Sequence, residues 1–200
     1  KAKGEGFGFN NRMVGSKHRY GETLYDQFNF NYREGGFDLT GMLSGGHYDN
    51  SQGAITSINV HAANHWKVNN DMSKQKNINH ILSGTLSMNY QFNPDHVMGI
   101  RYKLSRDPKI DLGGTALAEA YMDGVVYEES NARYDIGGQY TTHDINAYYN
   151  GKVNDWNIDL NLDGMWDKNK QNQFTAQTIT ETSGKNMKEN MTTFNRTRNN

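Results

Sequence analysis

Histidines and carboxylates are the residues of this chain whose types and spacing could support chemistry. His61 and His65 are four residues apart in the segment HAANH, a spacing that places two metal ligands on one face of a helix. No Glu stands where a zinc peptidase needs its general base, and the surrounding sequence is typical of a loop or a strand. We therefore predict no metal site at these two histidines.

A second group of polar residues lies between positions 159 and 169. Asp163, Asp167 and Asn169 resemble part of a calcium-binding loop, but the glycine and the terminal Glu of an EF-hand are absent. Asp159, Asp163 and Asp167 alternate with apolar residues, so we expect them to share the polar face of one strand. Paired catalytic carboxylates are the enzyme alternative, although the sequence does not fix their separation. We predict no catalytic, metal or cofactor-binding residue, and we leave the ligand-binding residues unassigned.

The composition excludes several classes of protein. The net charge of the 200 residues is -1, so no basic surface points to nucleic acid. No run of 18 apolar residues exists, which excludes membrane helices but not a membrane barrel with its polar lumen. There is no cysteine, which removes disulfides and thiolate metal sites. Because the chain begins without Met, we expect a mature segment or a fragment of a longer protein.

The clearest structural signal is a long hairpin between Lys76 and Arg106. Apolar and polar residues alternate along both halves, and the turn signal Asn-Pro-Asp-His at 93–96 separates them. The resulting strands have about ten residues or more, which is longer than most strands of soluble sheets. Long alternating strands joined by a tight turn are typical of a membrane β-barrel.

The same alternation recurs along the rest of the chain. It predicts strands near residues 5–14, 20–33, 37–50, 133–149 and 156–167, with an eighth beginning at 190. We expect a polar link at 15–19 and short turns at 34–36, 93–96 and 150–154. We expect long connections at 50–75, 107–131 and 168–189, with extra strand near 55–60 and a helical turn at 116–120. Alternating short and long connections, with aromatic residues beside the short turns, are typical of outer-membrane barrels.

These patterns predict an all-β fold, an antiparallel up-and-down meander of long strands that forms a fragment of a large transmembrane β-barrel. Residues 1–200 would be one partial barrel domain with about seven to eight strands. The predicted lipid-facing residues are Phe28, Phe30, Leu82, Leu86, Met88, Ile100, Tyr102, Ile158 and Leu160. The predicted lumen-facing residues are Asn29, Ser83, Thr85, Arg101, Asp159 and Asn161.

Four segments carry a resemblance to a known family. Tyr25 to Tyr48 resembles the second barrel hairpin of TonB-dependent outer-membrane receptors, in particular the outer membrane protein beta-barrel type found in Bacteroidetes. Asn89 to His96 and Asn146 to Asn161 resemble later periplasmic hairpins of that barrel. Lys1-Ala2-Lys3-Gly4 resembles the link that leaves the plug domain. The resemblance covers nearly the whole chain through the order and spacing of these segments.

The resemblance implies the N-terminal part of a barrel of about 22 strands with a plug inside. It implies a bacterial outer-membrane receptor that takes up a scarce nutrient, such as an iron chelate, cobalamin or a glycan. The implied partners are outer-membrane lipid, the TonB complex through the plug region, a surface lipoprotein and the small-molecule or glycan ligand. The alternative is a soluble all-β module that binds a ligand or carbohydrate on Tyr and Trp platforms.

Overall fold

The computed structural model describes residues 4–60, 65–72, 75–181 and 187–199. They form ten β-strands, with these bounds: β1 Gly6–His18, β2 Gly21–Glu34, β3 Phe37–Asp49, β4 Ala54–Val60, β5 Trp66–Met72, β6 Gln75–Asn93, β7 His96–Met122, β8 Val125–Val153, β9 Trp156–Glu181 and β10 Met187–Asn199. Within these ranges, no helix is long and apolar enough to span a membrane.

All ten strands belong to one antiparallel sheet. Its main path runs through eight strands in the order β1-β2-β3-β6-β7-β8-β9-β10. The hairpin β4–β5 lies off this path. β5 pairs with the upper part of β7, from Lys67 opposite Tyr121 to Asp71 opposite Leu117. The predicted all-β antiparallel meander is therefore confirmed, with ten strands in place of seven or eight. The path is open, because β1 and β10 form its two ends.

Three tight turns lie at one end of the sheet, here called the lower end. They occupy positions 35–36, 94–95 and 154–155. The first two turns lie where the sequence predicted them. The third prediction, 150–154, was wrong, because Asn150 pairs with Asp159 and β8 continues to Val153. The turn begins at Asn154, whose φ of 54° is a left-handed conformation that Asn tolerates well.

The largest correction concerns residues 107–131, which are strand rather than a long connection. β7 and β8 continue through this region and meet at the two-residue turn Asp123-Gly124, whose φ angles are 50° and 81°. Two consecutive positive φ angles are typical of the type I′ hairpin turn, for which Asp-Gly is a preferred sequence. The predicted helical turn at 116–120 is wrong, since these residues pair with β8 along β7.

The other predicted connections are also shorter than expected. β1 extends through the predicted polar link to His18, and a turn follows at 19–20. The region 50–75 contains β4 and β5, so the predicted extra strand near 55–60 is confirmed. β9 continues to Glu181, and β10 confirms the predicted eighth strand of the tail; residues 182–186, in the predicted connection 168–189, lie outside the described residues.

Cross-strand register shows which side chains share a face. Residues directly opposite in an antiparallel pair point to the same side of the sheet. One row crosses seven strands in the order Asn11, Phe28, Leu43, Gly84, Leu104, His143 and Trp166. The neighbouring row on the same face contains Phe9, Phe30, Gly41, Leu86, Tyr102, Ile145 and Gly164. We call this side the apolar face and the other side the polar face.

The sheet is a single layer without a protein core. Among the described residues, no hydrophobic side chain is buried. Phe9 and Leu162 on the apolar face expose 69% and 72% of their surface. A folded soluble protein buries such side chains against a second layer, and the described residues supply no second layer.

A bulge in β7 ends the regular part of the sheet. Asp107 pairs with Tyr140 and Ile110 with Gly138, so Pro108 and Lys109 together lie opposite the single residue Gln139. Proline inside a sheet is confined to edges and bulges, because it has no N–H for the ladder. The carboxylate of Asp107, only 3% exposed, accepts hydrogen bonds from the backbone N–H of Lys109 (3.1 Å) and of His80 (3.4 Å).

We predict that Asp107→Ala destabilises the protein by about 1–3 kcal/mol, because two backbone donors at the bulge lose their acceptor. Asp159→Ala, which removes an exposed carboxylate, is the matched control and should change the free energy of unfolding by less than about 0.5 kcal/mol. Urea unfolding of the refolded protein in lipid vesicles measures both values. Equal effects of the two substitutions would contradict a structural role of Asp107 at the bulge.

Candidate functional site

The polar face carries every residue predicted to face the lumen. The register places Asn29, Met42, Thr85 and Lys103 in one row on the successive strands β2, β3, β6 and β7. The neighbouring row contains Arg101, Asn146 and Asp163. The predicted division of the two faces is therefore confirmed for all fifteen residues, which are Phe28, Phe30, Leu82, Leu86, Met88, Ile100, Tyr102, Ile158 and Leu160 against Asn29, Ser83, Thr85, Arg101, Asp159 and Asn161.

Hydrogen bonds between side chains connect β8 and β9 on the polar face. The amide nitrogen of Asn146 donates to Asn161 Oδ1 (2.8 Å) and to Asp163 Oδ1 (2.7 Å). Asn161 Nδ2 donates to the other oxygen of Asp163 at 3.1 Å. All three side chains are exposed or half-buried, so this network orients Asp163 while leaving it accessible to water.

A groove of about 640 Å³ on the polar face brings unlike charges near one another. Arg101 and Lys103 line it from β7, Asp144 from β8 and Asp163 from β9. Arg101 and Asp163 are separated by the intervening Asn146, two strand spacings or about 10 Å. Among the described residues, neither Arg101 nor Lys103 forms an ion pair. The groove therefore offers two cations and two carboxylates to a polar ligand or to another protein segment.

The described residues considered for metal binding do not come together as a metal site. Asp159, Asp163 and Asp167 share the polar face of β9, as predicted, and Asn169 lies on it too. His61 lies outside the described residues. His65 Nδ1 is 3.6 Å from Asp123 Oδ1, with both side chains largely exposed. No group of three or more His, Asp or Glu within the described ranges could hold a metal ion.

The apolar face is a band with two borders. On β9 it runs from Trp156 at the lower end to Trp166, after which Lys168 and Lys170 follow on the same face. Ten residue steps span about 33 Å along a strand. A strand tilted by about 40° therefore crosses roughly 25 Å, the height of the apolar band of outer-membrane barrels.

Aromatic side chains lie at both borders of the band. At the lower border Tyr32 lies 6.3 Å from Phe37, and Tyr90 lies 4.9 Å from Phe92, between ring centroids. At the upper border the ring of His143 stacks on Trp166 at 4.9 Å. The sequence predicted only the lower group, because three turns identify that end.

Histidine–tyrosine hydrogen bonds were not predicted from the sequence. Tyr102 Oη lies 2.6 Å from His143 Nδ1, and Tyr149 Oη lies 2.7 Å from His96 Nδ1. Both pairs lie on the apolar face and join neighbouring strands. The alternation of each strand places these residues on that face, but only the register between strands brings the partners together.

The strands continue far above the band. β7 extends for 15 residues beyond Asp107 to Met122, about 50 Å of strand. Near its tip the hydroxyl of Tyr121 donates to Glu119 Oε2 at 2.7 Å. This hydrogen bond raises the pKa of Tyr121 above its usual value, and desolvation and the negative charge of Glu119 add to it. The upper part of the sheet is thus an ordered polar extension.

Neither a scan of protein-family models nor a search of curated proteins finds a match to this chain.

We predict that Arg101→Gln and Lys103→Gln each change the free energy of unfolding by less than about 0.5 kcal/mol, because both side chains are exposed and unpaired. Urea unfolding under the conditions used for Asp107→Ala measures this. A loss above about 1 kcal/mol for either substitution would show that the charge stabilises the sheet and is not available to a ligand.

Proposed function

We propose that this chain forms part of the wall of a transmembrane β-barrel in a bacterial outer membrane. The observation that carries the proposal is the uncovered apolar band, which crosses the sheet from Phe7 on β1 to Leu162 on β9. Lipid chains would cover that face. Water and the contents of the lumen would contact the polar face, where the charges of the groove are found.

The borders of the band support this proposal. Tyr and Trp concentrate at the two interfaces of a membrane, where a ring meets both lipid and water. Tyr90 and Trp156 occupy the lower border, and Trp166 occupies the upper one. The short turns at the lower end match the periplasmic side of such barrels, and the long strands at the upper end match the outer side.

The open edges of the sheet support a larger assembly. β1 and β10 each have a neighbour on one side only within the described sheet. An unpaired edge offers a row of backbone donors and acceptors to another strand. We expect further strands to pair with both edges and to close the barrel.

The proposed role is nutrient uptake as part of a TonB-dependent receptor. It rests on the order and spacing of the hairpins around Tyr25–Tyr48, Asn89–His96 and Asn146–Asn161. In this role the groove lined by Arg101 and Asp163 faces the lumen and contacts a plug or a passing ligand. The TonB complex, a surface lipoprotein and the ligand, an iron chelate, cobalamin or a glycan, are the proposed partners.

A soluble all-β module that binds carbohydrate is the alternative function. The observation that favours it is Trp156, whose side chain is 76% exposed and could stack on a sugar ring. The two proposals differ in what covers the apolar face. A membrane wall requires lipid or detergent, whereas a soluble module stays monomeric without either.

We predict that Leu86→Arg lowers stability in a bilayer by about 2–4 kcal/mol, because it places a charge at mid-band against lipid. Thr85→Arg is the matched control, since it adds the same side chain one residue earlier on the polar face. Equilibrium unfolding from vesicles measures both. Equal losses would contradict the assignment of the two faces.

We predict opposite accessibility of the two ends of the sheet on intact cells. The chain has no cysteine, so single substitutions can be labelled selectively. Val125→Cys, beside the upper turn, should react with a membrane-impermeant maleimide, because it lies on the outer side. Asp155→Cys, in a lower turn, should react only after the outer membrane is permeabilised. Labelling of Asp155→Cys on intact cells would refute the orientation.

A further inference from the structure

A cluster of cations lies on the apolar face immediately above the hydrophobic band. Arg106 and Lys168 occupy one row and lie on either side of Thr141. Lys170 is two residues further along β9, opposite Gln139, and Lys109 lies at the bulge across from the same Gln139. All four cationic side chains belong to exposed residues.

Lys109 and Lys170 line a groove that lies directly above the row of Arg106 and Lys168. Each row spans two strand spacings, about 10 Å, and the two rows are about 7 Å apart. The groove has a volume of about 810 Å³, and Gly137 and Gly138 lie in its floor. A Cβ atom added at Gly137 would meet only Ile110 O, at 4.0 Å. Thr141 and Gln139 place hydroxyl and amide groups between the cations.

Carboxylates near the groove leave most of this positive charge uncompensated. Asp111 contacts Lys76 Nζ at 2.5 Å and Lys109 Nζ at 3.9 Å. Asp135, which also lines the groove, is paired with Arg133 at 3.0 Å. Asp107 is buried and accepts hydrogen bonds from the backbone N–H of Lys109 and of His80. Within the described chain, Arg106, Lys168 and Lys170 have no ion pair.

Among the described residues of the apolar face, cations occur at only one border of the band. At the lower border the described residues of the apolar face include Glu34, Phe37, His96 and Trp156, and none of them is Lys or Arg. A surface cation gains about 1 kcal/mol beside an anionic lipid layer, and this gain disappears within a Debye length. The basic cluster is therefore where a phosphorylated headgroup would meet a chain whose apolar band is in lipid.

We propose that Arg106, Lys109, Lys168 and Lys170 form a binding site for the phosphate groups of an anionic lipid headgroup. The proposal rests on the membrane placement proposed above and adds a specific lipid class at the upper border. The lipid tail lies along the band below, near Leu104 and Trp166, while the headgroup occupies the groove over Gly137. A free phosphate ion would lack the contact with the band.

The test measures phosphatidic acid binding to the complete protein in neutral detergent by native mass spectrometry. The variant Lys168→Gln/Lys170→Gln should weaken binding about 10- to 30-fold. The control Lys152→Gln/Lys188→Gln removes the same charge from the polar face and should leave binding unchanged. Gly137→Leu keeps every charge but fills the groove, and it should also weaken binding.

The outcomes separate this site from the membrane proposal. Wild type and variants should insert equally into phosphatidylcholine vesicles, because the band is unchanged. If neither the wild type nor the variants insert, the membrane placement is overturned, and this site is overturned with it. Normal insertion with equal loss of binding in both double variants, or full binding by Gly137→Leu, would overturn the site alone. Complete competition by inorganic phosphate at tenfold excess over lipid would overturn the assignment to a lipid.

Discussion

The uncovered apolar face is the constraint on which the rest of this structure depends. A single antiparallel sheet exposes both faces, and no hydrophobic residue of the described chain is buried. Apolar surface in water costs roughly 25 cal/mol per Å², so a band that crosses seven strands requires a cover. We propose lipid as this cover, because the band is about 25 Å high and has aromatic residues at both borders.

The bulge at Pro108 connects this constraint to the upper part of the molecule. Below it, even-numbered residues of β7 such as Tyr102 and Leu104 lie on the apolar face. The extra residue reverses the alternation, so Asp111 lies on that face and Ile110 on the other. The surface therefore changes from apolar to charged within a few residues of the basic cluster. The proposed passage of this strand from lipid to water requires this change, and Asp107 stabilises the backbone where it occurs.

Much of the fold could be predicted from alternation alone. The division of the faces was correct from Phe28 to Leu160, because side chains of a strand point to opposite faces in alternation and apolar and polar residues alternate with the same period. The upper strands were missed, since polar residues such as those of 168–181 carry no alternating signal when both faces contact water. Asp123-Gly124 was a turn signal that could have corrected this error. The groove of Arg101 and Asp163 could not be predicted, because it depends on register across three strands.

The depth of three tryptophans tests the central claim most directly. Trp156 and Trp166 mark the two borders of the band, whereas Trp66 lies on β5 in the upper extension. Single-tryptophan versions of the complete protein can be reconstituted into bilayers with lipids brominated at different depths. We predict that lipids brominated on the acyl chains close to the headgroup quench Trp156 and Trp166 strongly. The same lipids should leave Trp66 unquenched. Equal quenching of all three, or none for Trp156 and Trp166, would contradict a membrane-embedded apolar face.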